Sequence, residues 1–242
     1  MNLSNFYDLS YSDLSDFISS NFSLEKKKTS MRTNQIWKFV YKKGLRETSK
    51  FSNISSELKY NIEKSFNFNR TNIAEKKISK DGTIKWLLKL SDNNLVETVF
   101  IPSGKRGTLC VSSQVGCTLN CKFCHTGTQL MVKNLTTHEI INQILVAKDE
   151  LNDWGSQKKI TNIVYMGMGE PFYNYDNVKK SISILRERNG LDYSSKKITV
   201  STAGISNEIM KAADEIGTYL ALSLHAPTDE LREKIMPINK KF

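Results

Sequence analysis

Three cysteines fall within eight residues in the stretch GCTLNCKFCH, as Cys117, Cys121 and Cys124, in a chain of 242 residues that has only four. Thiolates are soft ligands suited to zinc and to iron-sulfur clusters, and the spacing here is C-x3-C-x2-C. A structural zinc wants four closed ligands, usually drawn from paired C-x2-C knuckles. His125 is the neighbour that would complete such a set, but it follows Cys124 directly and has to turn back sharply to share the ion. A cubane cluster has four irons, so three thiolates leave one iron open to a substrate or cofactor. Spacing alone leaves both metals open and fits the cluster better.

Composition bounds the rest. With 39% hydrophobic and 10% aromatic residues the chain can bury a sizeable core in one or two domains. The start, MNLSNFYDLSYSDLSDF, has no charged segment leading into an apolar one, and no apolar run approaches the ~18 residues of a membrane span. We expect a cytoplasmic protein with no membrane partner; in that reducing compartment clustered cysteines act as ligands or catalysts. A net charge of +10 favours a polyanion. The basic residues concentrate at 26–50, where Trp37, Phe39 and Tyr41 lie among them. Such a mixture suits nucleic acid, charge for the backbone and rings for bases; it equally suits a small helical module with core aromatics and solvated lysines.

The elements that must position the cysteines follow from periodicity. Residues 1–75 carry short helical patterns and read as a small helical accessory domain. Residues 76–108 hold two strand-like runs, IKWLLKL and LVETVFI, separated by Asp92, Asn93 and Asn94, and read as a hairpin leading into the core. Residues 109–242 alternate: strand 109–112, helix 137–152 with a Thr136/Glu139 capping box, strand 160–166, and helix 176–188 closed by Gly190. Strand 197–202, helix 207–216 closed by Gly217, strand 219–224 and a helix from Asp229 complete the series. Four βα units imply an α/β fold with a parallel sheet, whose sites gather beyond the C-terminal ends of the strands. There lie the cysteine loop, Gly169 and Glu170 after the second strand, Ser201 ending the third, and Ser223, Leu224 and His225 ending the fourth. Each alone is as readily a turn, a cap or a structural residue as a site.

A C-x3-C-x2-C loop after the first strand of a βα barrel resembles the radical S-adenosylmethionine (radical SAM) enzymes. The longer text VETVFIP, TLCVSSQVGCTLNCKFCHTGTQ, MGMGEP, STAG, SLHAP and MPINKKF resembles, within them, the RlmN-type RNA adenine C2-methyltransferases. The resemblance implies a partial (βα) barrel of radical SAM type, a 4Fe-4S cluster on Cys117, Cys121 and Cys124, and SAM held by Gly169, Glu170, Ser201, Ser223, Leu224 and His225. The open iron chelates SAM, and one electron from the cluster cleaves it to a radical. Glu97 matches the family's proton acceptor; taken by itself it is an exposed residue on an otherwise apolar strand. Cys110 matches the cysteine that resolves a covalent enzyme-RNA adduct by disulfide formation with a methyl-carrying cysteine; without the resemblance it reads as a small buried hydrophobe. The implied partners are large-subunit ribosomal RNA, transfer RNA and an electron donor. The sister Cfr family, which methylates C8, shares the cluster, while HTGTQ and MPINKKF lean to the C2 family.

No cysteine follows Cys124, and only four βα units are present, where the family continues to its methyl-carrying cysteine. We therefore expect a C-terminally truncated member that binds the cluster without methylating RNA, with SAM binding left open. An unpaired strand edge and uncovered apolar surface should accompany it. The alternatives to this reading are a C8-methyltransferase, a radical SAM enzyme acting on another class of substrate, and a non-enzymatic zinc- or RNA-binding protein.

Overall fold

The computed structural model describes residues 3–22 and 25–240; Lys241 and Phe242, which end the MPINKKF stretch, lie outside the described residues. The chain opens with a short strand β1 (Ser4–Asn5), helices α1 (Tyr11–Phe22), α2 (Lys26–Trp37) and α3 (Ser56–Ser65), and strand β2 (Phe66–Asn67), which pairs with β1. Strands β3 (Asn72–Ile78), β4 (Ile84–Lys89), β5 (Leu95–Ser103) and β6 (Arg106–Cys110) follow, then a small antiparallel pair, β7 (Gln114–Val115) and β8 (Lys133–Asn134), on either side of the cysteine loop. Helix α4 (Thr137–Glu150), β9 (Asn162–Tyr165), α5 (Tyr175–Arg186), β10 (Ile198–Thr202), α6 (Ser206–Glu215), β11 (Tyr219–Leu222) and α7 (Asp229–Ile235) complete the alternation.

One seven-stranded sheet in the order β11-β10-β9-β6-β5-β4-β3 holds the molecule together. Strands β6, β9, β10 and β11 are parallel, and β3, β4 and β5 extend them antiparallel on one side. The arrangement is an open, partial βα barrel. The hairpin thus belongs to the core sheet, and β3 extends it where sequence patterning assigned no strand. At the other edge β11 exposes Tyr219, Leu220 and Leu222.

Side-chain alternation gives the sheet two unlike faces. Trp86, Leu88, Val96, Phe100, Leu109, Ile163, Tyr165, Ile198 and Val200 are buried against the helices. The opposite positions, Leu87, Glu97, Val99, Cys110, Val164, Thr199 and Ser201, are half-buried and form the open face. One hydrophobic core runs from Phe6 through Ile216, so the N-terminal helices and the βα units share it. Trp37, Phe39 and Tyr41 sit inside that core, with Trp37 and Tyr41 ring centroids 4.5 Å apart. The rings of the basic stretch are therefore packing groups, and its lysines and Arg46 face solvent.

Helix α4 begins at the expected capping box, Thr136 accepting from the Glu139 N–H while the Glu139 carboxylate accepts from the Thr136 N–H. Its Gln143 is buried and fixes the exit of β6: Oε1 accepts from the Ser112 N–H at 2.7 Å and the Thr98 hydroxyl at 2.9 Å, and Nε2 donates to the Ser112 carbonyl at 2.9 Å. The substitution Gln143→Ala orphans these three buried groups and is expected to cost about 3 kcal/mol or more, since each unsatisfied group costs about 1–3 kcal/mol. A lower urea midpoint with unchanged slope checks it; an unchanged midpoint would show that the clamp is dispensable.

Candidate active site

The cysteine loop leaves β7 through Gly116, which holds φ +75° with the Leu130 carbonyl oxygen pressed against the place where a Cβ would stand. Only glycine fits that close approach. The loop then turns through Cys124 N–H to Cys121 carbonyl and Gly127 N–H to Cys124 carbonyl bonds, both 3.0 Å. Lys122 N–H to the Ile235 carbonyl, 2.9 Å, docks it on the end of α7. Cys117 and Cys121 are buried beside Leu119, Ala203, Met236 and Ile238, with Cys124 packed partly against them. Burial pushes the Cys121 thiol up to about 11, reinforced by Cys117 and Cys124; burial likewise raises Cys117, with Glu170 and Cys124 adding to it. Cys117 and Cys121 are thus biased toward their neutral thiol forms, by burial first and by negative neighbours second. Among the described residues no three His, Cys, Asp or Glu side chains gather closely enough to share one metal ion.

The loop after β9 is braced against this one. Gly169 takes φ +92°, and the Gln114 side chain occupies the place where its own Cβ would stand. Gln114 Oε1 accepts from the Glu170 N–H at 2.7 Å, and Gln114 Nε2 donates to Asn134 on β8. Glu170 is buried; one carboxylate oxygen accepts from the Phe172 N–H at 3.1 Å and the other from the Ala203 N–H at 2.8 Å. Burial raises its pKa even though those bonds oppose the shift. The carboxylate therefore ties the end of β9 to the end of β10, and its charge is felt at Cys117 and Cys121.

Ser201 lies on the open face of β10, half-buried. After β11 the Ser223 N–H donates to the Thr202 carbonyl at 2.9 Å, Leu224 is exposed, and His225, at φ +57°, sets its ring 4.1 Å from that of Phe123 in the cysteine loop. Arg232 of α7 staples this corner, donating to the carbonyls of Ala203, Ser223 and Leu224 and to Asn239. On the open face, Val99 pairs with Cys110 and Leu87 with Glu97, so Glu97 and Cys110 point the same way from adjacent strands. Glu97 meets Lys85 at 2.8 Å. Burial pushes the Cys110 thiol up to about 11. All eleven residues singled out in the sequence lie on the open face or its C-terminal rim. Gln114, Gln143, Arg232 and Asn174, whose Nδ2 donates to the carbonyls of Ser113 at 2.8 Å and Leu135 at 2.7 Å, help position them and carry no periodic sequence signal. Gln114 stands inside the SSQVGC text, the one hint among these.

The radical SAM superfamily model matches residues 111–241. The chain belongs to that superfamily. It is 46% identical over 240 residues to the dual-specificity RNA methyltransferase RlmN of Chelativorans sp. (strain BNC1), covering 92% of this chain and 59% of that protein. Against the RlmN of Paracoccus denitrificans (strain Pd 1222) it is 47% identical over 219 residues, covering 88% and 56%. The chain thus spans less than two thirds of the length of these curated relatives. The crystal structure of a radical SAM methyltransferase from Sphaerobacter thermophilus superposes with a TM-score of 0.87 at 32% identity, over 99% of this chain and 69% of that one. Membership implies a 4Fe-4S cluster and SAM.

For a radical SAM protein the Gly169 geometry is a direct test of how the site is held. Gly169→Ala combines a positive φ with a collision against Gln114 and is expected to cost about 1–3 kcal/mol, lowering the melting temperature by about 2–4 °C per kcal/mol. Gly155→Ala, at a position open to solvent, is the control and should leave the melting temperature in place.

Proposed function

We propose that this chain is the cluster- and SAM-binding part of a radical SAM methyltransferase acting on C2 of adenine in RNA, with large-subunit ribosomal RNA and transfer RNA as substrates. In this reading Cys117, Cys121 and Cys124 hold the cluster. The donor set fits it: three soft cysteine sulfurs lie in one loop, and burial raises Cys117 and Cys121, so cationic irons beside them would favour the thiolate form that ligation needs. When bound, the cluster supplies one electron to SAM and so opens radical chemistry at a carbon that is not nucleophilic.

The chain's own groups do the rest. Beyond its two backbone bonds and its hydrogen bond with Thr202, the Glu170 carboxylate keeps a lone pair that can accept from the amino group of SAM, while Gly169 lets the backbone approach. Ser201 and the turn holding Ser223, Leu224 and His225 close the SAM site from β10 and β11. Glu97 accepts a proton at its carboxylate on the open face, and Cys110 stands on the next strand as the thiol that resolves the adduct. The methyl-carrying cysteine that the family mechanism needs is not among the four cysteines of this sequence. Residues 1–75 serve as the RNA-binding accessory domain, 76–108 lead into the core and 109–242 form the radical SAM core. An electron donor is a further partner, and the setting is the cytoplasm; no helix among the described residues is long and apolar enough to cross a membrane.

The observation that carries this reading is the meeting of the three thiols and Glu170 at one strand-end rim in a chain 46–47% identical to RNA methyltransferases. Anaerobic reconstitution tests the first half. The expected result is about four irons per chain, falling below about one in each Cys→Ala variant of the triad and staying at four in Glu97→Gln. One tight zinc and no iron would overturn it. Mass spectrometry of RNA adenosines from cells carrying the whole gene tests the second half: 2-methyladenosine supports it, 8-methyladenosine transfers the assignment to the C8 reaction, and an unrelated product rejects both.

A further inference from the structure

With the rings of residues 26–50 inside the core, the +10 net charge must act through its lysines and arginines alone, and the fold gathers a second group of them far from the cysteines. At the end where β6, β9 and β10 begin, the loop 152–159 stands between two concavities. One, of about 570 Å³, lies between Lys42 and Lys43 of the N-terminal part and Lys158 and the turn 190–192 of the core. The other, of about 550 Å³, lies beneath the β5–β6 turn and is lined by Lys105, Arg106, Lys158 and Lys159. Lys42, Lys43, Lys105, Arg106 and Lys159 are exposed, while the Nζ of Lys158 is partly covered where it meets the turn 190–192.

The acids here do not balance them. Asp153 is buried and committed: it accepts from Lys148 Nζ at 3.1 Å and from the backbone N–H groups of Lys159 and Ile160. Asp192 is the other acid lining these concavities among the described residues. Lys158 is held in place by bonds to the carbonyls of Leu191, 2.8 Å, and Asp192, 3.0 Å. Burial lowers its pKa, partly countered by Asp192 and Asp153, while Lys42 pushes in the same direction as burial. Lys148 is lowered by burial too, with Lys158 contributing. A plain solvated surface spreads like charges apart. Here cationic groups from three separate segments crowd around concave ground, which is what a multiply charged anion would relieve.

We propose that this pole, opposite the cysteine rim, is a docking surface for the sugar-phosphate backbone of the RNA, with Lys42 and Lys43 on one side of loop 152–159 and Lys105 and Arg106 on the other. The proposal rests on the RNA-methyltransferase reading. A five-residue strand is about 17 Å long, so a folded RNA can engage both poles where a single nucleotide cannot. Contacts of this kind add affinity and fix orientation without choosing a base. They also explain why basic residues stand on core loops that the cluster and SAM do not reach.

The test uses the full 242-residue chain and a fluorescently labelled RNA stem-loop with adenine in its loop, titrated across a range of salt. The double variant Lys42→Ala/Lys105→Ala removes one exposed cation from each concavity. It should bind about tenfold more weakly at ~0.1 M salt, with the slope of log affinity against log salt reduced by about 2, one for each phosphate no longer neutralised. Lys42→Arg/Lys105→Arg should restore the slope. Lys179→Ala/Lys211→Ala takes the same charge from α5 and α6 and should leave it unchanged. If the first variant melts early, Lys43→Ala/Arg106→Ala makes the equivalent removal. An unaltered slope in the pole variants, an equal weakening in the control, or no salt-dependent binding by the unmodified chain overturns the docking surface. Iron content and SAM binding of the same variants should stay at the unmodified values, so a failure here is separable from a failure of the enzymatic reading.

Discussion

A carboxylate buried in a protein is costly unless hydrogen bonds or a cation stabilise it, and Glu170 is buried at the point where the whole rim is joined. Its two oxygens take backbone N–H groups from Phe172 and Ala203, so the loops after β9 and β10 are fixed relative to each other by one side chain. The loop after β6 is joined to them through Gln114, and the loop after β11 through Arg232. Remove the carboxylate and the corner loses its common anchor. Those neutral donors satisfy its geometry but only partly offset burial, and the raised pKa shows the remaining imbalance. Burial favours the neutral forms of Glu170, Cys117 and Cys121 at this corner, a bias that a cation placed beside them would reverse.

The rest of the fold can be understood as the support this corner requires. Loops at strand ends are only as well placed as the strands, and the strands are registered by burying one face completely against α4, α5 and the N-terminal helices. Gln143 transmits that register to the rim, because it joins α4 to both β5 and the residue that leaves β6. The N-terminal helices contribute in the same way. Tyr7 and Tyr41 pack with Phe6 and Trp37 in the same continuous core, and Asp8 accepts from the His138 N–H at the start of α4, so the accessory part is structurally welded to the helix that holds the cysteine loop's far side.

Much of this was legible in the sequence wherever the determinant is local. Thr136 and Glu139 announce α4 because a cap is made of neighbours; Asn93, at φ +68°, announces the hairpin turn; Gly217, at φ +62°, ends α6 as expected. The three cysteines stood out because their clustering is rare, whereas Glu170 was singled out only by its place at a strand end and by the family resemblance. Strand β3 was not: NIAEKKI is exposed along its whole length, shows no alternation, and is a strand because β4 offers it an edge. Gln114, Gln143, Asn174 and Arg232 were hidden for a related reason. Each is a polar side chain serving backbone groups of a distant segment, and such service leaves no trace in spacing. The aromatic residues of the basic stretch show the opposite hazard, where local mixture suggested base stacking and three-dimensional packing assigned the rings to the core.

Parallel strands are usually covered on both faces and then read as unbroken apolar runs. Here parallel β10 reads ITVST, and β5, antiparallel beside the parallel strands, reads LVETVFIPS, with Thr199, Ser201, Glu97 and Val99 falling on one face and Ile198, Val200, Val96 and Phe100 on the other. A residue such as Glu97 is tolerated mid-strand because the face it occupies is open and Lys85 lies 2.8 Å away across the pair. The alternation that looks like a flaw in a buried parallel sheet is therefore the mark of a face the helices leave open. It places Cys110 beside Val99 and one step from Glu97, beneath the rim that gathers the thiols, so the same period of two that builds the sheet also sorts its residues into those that hold the fold and those available for chemistry.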